Sequence, residues 1–372
     1  MKLQVTVNKL NRRKSPVTDF ANKSNVVEVV NNGFTFESVA RIENNLGVWH
    51  QDRDGMWAWE KGLAGASSAS MLLDLGKQTF KWFDDLNIGQ VWNKFSEKGN
   101  SVTIAVLDTG YNKGNSDIEQ AVAKSSIIID EEKYDPEQLI IDDKSNIGHG
   151  TRCASLIGAR NELTSIIGIA PECKLLVGKI SINREIRKFE YLLNGIEWAI
   201  NQGADIISIS YAVSLTDEEV ESHNAKFQSL VDNKPVLIFG AAGNSDGTPK
   251  KGERYPASFE NCISIGSSDA NHNVADFTVS SSKTILHAIG IDIESYGKTT
   301  IPDAQSGTSY STPIAAAIAG LAISHIKKNG EEINKIDFVN RLIDTADPIS
   351  GEQNKKIINI QKLFESFENN NT

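Results

Sequence analysis

A run of mostly apolar residues that stops at an acid constrains this chain more than any other feature. Val102-Thr103-Ile104-Ala105-Val106-Leu107 reads as a strand buried on both faces, the pattern of a parallel sheet. It delivers Asp108-Thr109-Gly110 at its carboxyl end, where open α/β sheets place their sites. Two more peptides follow in order: His149-Gly150-Thr151, and Gly307-Thr308-Ser309, which opens an alanine-rich helix with Pro313 expected in its first turn.

A serine hydroxyl near neutral pH is a weak nucleophile unless a neighbouring imidazole removes its proton. His149 fits that base. A carboxylate must hold the imidazole in one tautomer and stabilise the imidazolium formed during attack, which is the role expected of Asp108, with Ser309 as nucleophile. Acyl transfer also develops negative charge on the former carbonyl oxygen, so donors must already point at it. Gly240-Ala241-Ala242-Gly243-Asn244 supplies the amide of Asn244, and the backbone N–H of Ser309 at a helix N-terminus supplies a second donor.

The order Asp, His, Ser separates this set from other serine hydrolases. With the Asn-bearing peptide, with Gly168-Ile169-Ala170-Pro171 after the histidine helix, and with Gly195-Ile196-Glu197-Trp198-Ala199-Ile200 and Asp205-Ile206-Ile207-Ser208-Ile209-Ser210 beyond it, the chain resembles the subtilases from about residue 78 to about residue 364. The resemblance implies a doubly wound, mostly parallel sheet with flanking helices. It also implies hydrolysis of protein or peptide substrates through an acyl-enzyme on Ser309, with no cofactor required for catalysis. Trp82 to Trp92 resembles the family's leading helix, which puts the start of the catalytic domain near residue 77 and its end near 367. The residues from 368 to 372 form a polar tail. The alternative is a latent or inactive protease fold that binds or scaffolds through its N-terminal region.

That region, residues 1–63, has short alternating strands and turn signals but no helix-period stretch. Leu10-Asn11-Arg12-Arg13-Lys14-Ser15-Pro16, the Val26–Gly33 stretch and the tryptophan-bearing hairpin Trp49–Trp59, with Asp54-Gly55 at its turn, resemble a bacterial SH3-like barrel, which implies a protein partner. A pro-domain of similar length is the competing reading. Residues 64–76, opening on Ala64-Gly65-Ala66-Ser67-Ser68-Ala69-Ser70, suit a connector.

Among 372 residues the net charge is −10, which argues against a nucleic-acid partner, and no apolar run is long enough to span a bilayer. The first ten residues lack the apolar core of a secretory signal, so a cytoplasmic location is expected. The three cysteines show no framework spacing and fit a reducing compartment. Cys153 follows His149 by one helical turn, which places it beneath the imidazole, either as a small buried hydrophobe or as a regulatory thiol; Cys173 and Cys262 are expected in the core.

The chain departs from the family around the substrate. Asn183-Arg184-Glu185-Ile186-Arg187 stands where the family's substrate-pairing strand carries glycines, so Glu185 and Arg187 are expected to crowd or charge the non-primed subsites. Ser210, Tyr211 and Ala212 form the opposite wall and Gly243 continues it; Ala212 stands where glycine is common. Arg254, just before Tyr255-Pro256, falls near the base of the primary specificity pocket. There it favours acidic side chains, or else it is a solvated loop arginine beside Lys250 and Lys251. The resemblance also places Gln78, Asp117 and Glu162 at positions that bind a structural calcium ion, a hard cation suited by oxygen donors; an ordinary surface loop is the other reading.

Overall fold

The computed structural model describes residues 2–5, 9–13, 26–31, 35–37, 40–44, 47–51, 56–59, 63–65, 80–129, 148–160, 166–182, 188–245, 252–297, 302–332 and 334–368. The chain forms two compact units, Met1–Gln78 and Thr79–Thr372.

The first unit contains β1 (Lys2–Val5), β2 (Lys9–Arg13), β3 (Val26–Asn31), β4 (Thr35–Glu37), β5 (Ala40–Asn44), β6 (Gly47–Gln51), β7 (Trp57–Trp59) and β8 (Leu63–Gly65). Their pairings are antiparallel throughout, with β1 between β4 and β8 in one sheet and the order β3-β2-β7-β6-β5 in the other. Trp49 and Ala58 are buried. The connector expected from residue 64 starts later, because Ala64 and Gly65 pair with Gln4 and Leu3 of β1. Its remaining residues, 66–76, lie outside the described ones.

In the second unit come α1 (Lys81–Asp85), α2 (Ile88–Phe95), β9 (Thr103–Asp108), α3 (Ser116–Glu119), β10 (Val122–Ile127), α4 (His149–Gly158), β11 (Lys174–Lys179), α5 (Phe189–Asn201) and β12 (Ile206–Ile209). They are followed by α6 (Asp217–Val231), β13 (Leu237–Ala241), β14 (Cys262–Ser268), β15 (Leu286–Ile289), β16 (Ile293–Tyr296), β17 (Pro302–Gln305), α7 (Thr308–Lys328), α8 (Lys335–Asp344), β18 (Asp347–Pro348), β19 (Lys356–Ile357) and α9 (Ile360–Glu368). The single leading helix read from Trp82 to Trp92 is two helices, because Asn87 adopts a left-handed conformation between them (φ 55°).

The main sheet has the order β10-β11-β9-β12-β13-β14-β15-β19-β18, parallel from β10 to β19 and antiparallel only at the β19–β18 edge. The chain places β11 and β10 on one side of β9 and then crosses to β12 on the other. The strand order therefore reverses around β9, where open α/β sheets form a crevice at the strands' carboxyl ends.

Both faces of β9 are covered, which is why Ile104 to Leu107 are all apolar rather than alternating. Ile104 and Val106 join the core that contains α4 and α7, while Ala105 and Leu107 join the core beneath α5 and α6. Helix α7 is buried from Thr308 to Ser324 and packs on α4 and strands β12 to β15. Its alanines permit that close approach. At Gly320 a methyl group would come within 2.6 Å of Ile104 Cδ1, so the tightest crossing has no room for one.

His287 on β15 is fully buried, and desolvation lowers its pKa from 6.5 to about 4. The unfolded chain takes up this proton near pH 6.5 and the folded chain only near 4. The residue's contribution is complete above pH 6.5 and is lost as pH falls toward 4. Between pH 7 and pH 4.5 that loss amounts to about 2 kcal/mol. Urea unfolding at the two pH values is expected to show His287→Gln losing less stability on acidification than the parent, by that amount.

Candidate active site

Asp108, the last residue of β9, has no exposed surface. Its Oδ1 accepts a 2.8 Å hydrogen bond from Nδ1 of His149 and a 2.7 Å bond from the backbone N–H of Thr109. Burial works to raise the carboxyl pKa. The charge and hydrogen bond of His149, the Thr109 N–H and the Cys153 thiol outweigh it and hold the pKa below the ordinary value. Asp108 is thus an anion near neutral pH and keeps the proton of His149 on Nδ1. Nε2 is left as the basic nitrogen, buried and without a hydrogen-bond partner.

The tripeptides around this pair interlock. The N–H of Gly150 donates to Thr109 Oγ1 at 2.9 Å, and the N–H of Asn112 donates to Thr151 Oγ1 at 3.0 Å. Gly150 packs so tightly on the turn after β9 that a methyl group there would lie 2.1 Å from the carbonyl oxygen of Gly110. The glycine and both threonines therefore set the start of α4 against the end of β9, which fixes the distance between Asp108 and His149.

Ser309 lies in the first turn of α7, where backbone N–H groups have no acceptor within the helix. Pro313, expected in that first turn, sits one turn deeper and removes the N–H that would have bonded the carbonyl of Ser309. Ser210 Oγ donates to that carbonyl at 2.8 Å, and Cys153 Sγ lies 3.5 Å from it. The Ser309 hydroxyl itself donates to the carbonyl of Ser210 at 3.3 Å rather than to His149. Cys153 is buried, and its sulfur lies within 4.8 Å of ligand atoms of both Asp108 and His149, beneath the pair as its spacing suggested.

Asn244 is oriented by Thr308, whose backbone N–H and hydroxyl both donate to Asn244 Oδ1, at 3.0 and 2.9 Å. This fixes which end of the amide is the donor and leaves Nδ2 for a ligand. Gly307 keeps that space open, since a methyl group there would lie 3.1 Å from Nδ2. His149, Ser210, Tyr211, Ala212, Ala241, Gly243, Asn244, Thr308 and Ser309 line one cavity of about 220 Å³. All four residues read as chemical from the sequence thus meet at one place, with Ser210, Tyr211, Ala212 and Gly243 beside them.

The hydroxyl of Tyr211 is hydrogen-bonded to Ser181 Oγ. Arg254 lies along Gly243. Glu185, Arg187, Gln78 and Glu162 lie outside the described residues. Of the three calcium positions only Asp117 is described. It is fully buried in α3 and accepts a 3.3 Å hydrogen bond from the Tyr296 hydroxyl.

Two buried cations were not anticipated. Lys179, opposite Asp108 in the β11–β9 register, donates to the carbonyl of Thr109 at 2.5 Å. Arg152, one turn after His149, donates from Nη1 to the carbonyl of Asp303 at 2.9 Å and from Nη2 to its carboxylate at 2.5 Å. The second joins the base-bearing helix to the β16–β17 hairpin, four residues upstream of Gly307. A lysine ending an apolar strand and an arginine inside an otherwise buried helical turn were the available signals, but their partners are distant in sequence.

The family model for the subtilases matches residues 99–364. The intracellular serine protease of Paenibacillus polymyxa is 33% identical over 236 residues, covering 62% of this chain and 68% of that protein. Thermitase of Thermoactinomyces vulgaris is 30% identical over 266 residues, covering 70% and 86% respectively. Among solved structures, a mutant of the protease domain of PatA superposes with a TM-score of 0.61 at 26% identity, covering 74% of this chain and 98% of that domain. With the matched segment spanning the whole cavity and more than half of the sequence, the chain belongs to the subtilase family and is a subtilisin-like serine endopeptidase.

Proposed function

We propose that Asp108, His149 and Ser309 act as acid partner, general base and nucleophile, with Asn244 as oxyanion donor, in limited proteolysis of protein substrates. The observation that carries this reading is the buried 2.8 Å contact between Asp108 and His149, which opens onto the same cavity as Ser309 and the oriented amide of Asn244. Attack begins when Ser309 Oγ swings from the Ser210 carbonyl to His149 Nε2 and gives up its proton there. The new oxyanion accepts from Asn244 Nδ2 and from the Ser309 N–H. Collapse breaks the peptide bond as His149 returns the proton to the leaving amine. Water then repeats the sequence on the acyl-enzyme.

The names of the Paenibacillus relative and of the major intracellular serine protease of Bacillus subtilis, 29% identical over 245 residues, support a site of action inside the cell. Among the described residues no helix is long and apolar enough to cross a membrane. Residues 1–63, within the Met1–Gln78 unit and its antiparallel pairings, are assigned to an SH3-like module that docks a protein partner, with residues 66–76 as connector. The catalytic domain is assigned to residues 77–367. Asp117, with Gln78 and Glu162, is assigned to a structural calcium ion. This predicts a melting temperature several degrees lower in chelator; a temperature unchanged by chelator removes the metal.

An active-site serine phosphonate, read by intact mass, is expected to add once to the parent chain and not at all to Ser309→Ala. No adduct on folded parent protein overturns the assignment. Asn244→Leu is expected to lower kcat about 100- to 1000-fold with little change in KM, measured on a peptide substrate.

Cys153 provides a separate check on the geometry beneath the imidazole. A bulky mercurial on this thiol is expected to displace His149 and abolish activity, while Cys153→Ala resists the reagent. Full activity after confirmed labelling of Cys153 rejects the displacement.

A further inference from the structure

We propose that Arg254 forms the charged floor of the substrate pocket and makes this enzyme prefer an acidic residue immediately before the scissile bond. The inference rests on the serine-protease reading of the cavity and specifies what enters it.

The backbone places Arg254 beside Ala212 and Gly243 of the cavity's lining. Tyr255 and Val213 are bridged in antiparallel fashion, N–H to carbonyl at 2.9 Å one way and 3.0 Å the other, which draws Arg254 up beside Ala212. A methyl group on Gly243 would meet Arg254 Cγ at 3.1 Å, Ala212 Cβ at 3.2 Å and Arg254 Cδ at 3.6 Å. Ala212 and Gly243 both line the cavity that contains Ser309. The arginine stem therefore packs beside two residues of the cavity's lining, with Nη1 near Gly252, where a methyl group would meet it at 3.6 Å.

The guanidinium is held but not neutralised. Nη1 donates to the carbonyl of Glu253 at 3.0 Å, and the Arg254 N–H is satisfied by Ser258 Oγ at 3.1 Å. The nearest acid in sequence, Glu253, is turned to Ser281, whose hydroxyl donates to Glu253 Oε2 at 2.9 Å. Among the described residues no carboxylate forms an ion pair with Arg254. A positioned guanidinium with unused N–H groups takes a carboxylate in a fork, whereas a lysine side chain entering the same space meets like charge. Residual water in a half-enclosed site weakens this interaction but does not change its sign.

The test uses matched peptides that differ only in the residue before the scissile bond: Glu, its neutral isostere Gln, Leu and Lys. Each chain is also titrated with the serine phosphonate to count competent sites. The parent is expected to cleave the Glu peptide with kcat/KM about tenfold or more above the Gln peptide, the size a charge-assisted contact gives over a neutral one. Arg254→Gln is expected to bring that ratio to near one, and Arg254→Glu to make Lys the preferred residue. Phosphonate labelling of both variants shows that they have folded around a working serine. A parent that labels yet cleaves Gln or Leu peptides as fast as Glu overturns the acidic pocket alone, as does an Arg254→Gln variant that keeps the Glu-over-Gln ratio. A parent that does not label overturns the reading of the cavity and the pocket with it.

Discussion

A carboxylate with no exposed surface ends the central strand, and the rest of the site is built to keep it charged. Asp108 is stripped of water, which by itself favours its neutral form, and the imidazole of His149 with the Thr109 N–H restores the balance. Removing either partner would leave a buried anion short of hydrogen bonds, a far larger penalty than the loss of an ordinary polar contact. The glycine and threonines of the two motifs serve this pair first, because they set the distance between the helix that carries the base and the strand that carries the acid.

Ser309 approaches from a different element, and the same economy governs its placement. Pro313 leaves the Ser309 carbonyl without its helical partner, and Ser210 supplies the missing donor from the end of β12. Arg152 then connects α4 to the hairpin that precedes Ser309. Asp108, His149 and Ser309, the proposed acid, base and nucleophile, come from β9, α4 and α7, three elements far apart in the chain. They are joined by hydrogen bonds that use the backbone at least as much as the side chains.

Much of this was legible because it is local. The strand before Asp108, the tight helix start at His149 and the small-residue helix after Ser309 each show their physical reason within about ten residues, and their order identifies the chemistry. The break at Asn87 was hidden because the apolar pattern continues across it, and the pairing of Ala64 and Gly65 because small residues read equally well as connector. The tie from Arg152 to Asp303 and the path of Arg254 along Gly243 depend on tertiary approach, to which no periodicity in the sequence refers. For Arg254 the sequence resemblance raised an acidic pocket or a solvated loop arginine, and the backbone bridge between Val213 and Tyr255 supports the proposed pocket.

The resting position of the Ser309 hydroxyl, against the Ser210 carbonyl, has a kinetic meaning. Rotamer flips of exposed side chains take picoseconds to nanoseconds. Although Ser309 is only 8% exposed, its rotation stays fast beside a typical turnover of on the order of a tenth of a second, so the serine samples both rotamers many times before each reaction. The swing cannot be a rate-limiting gate. It enters instead as a population, multiplying the observed acylation rate by the fraction of molecules whose hydroxyl faces the imidazole. A substrate that occupies the space beside Ser210 raises that fraction as it binds, and part of the difference between a good and a poor substrate is then registered in a single torsion angle before any bond is made.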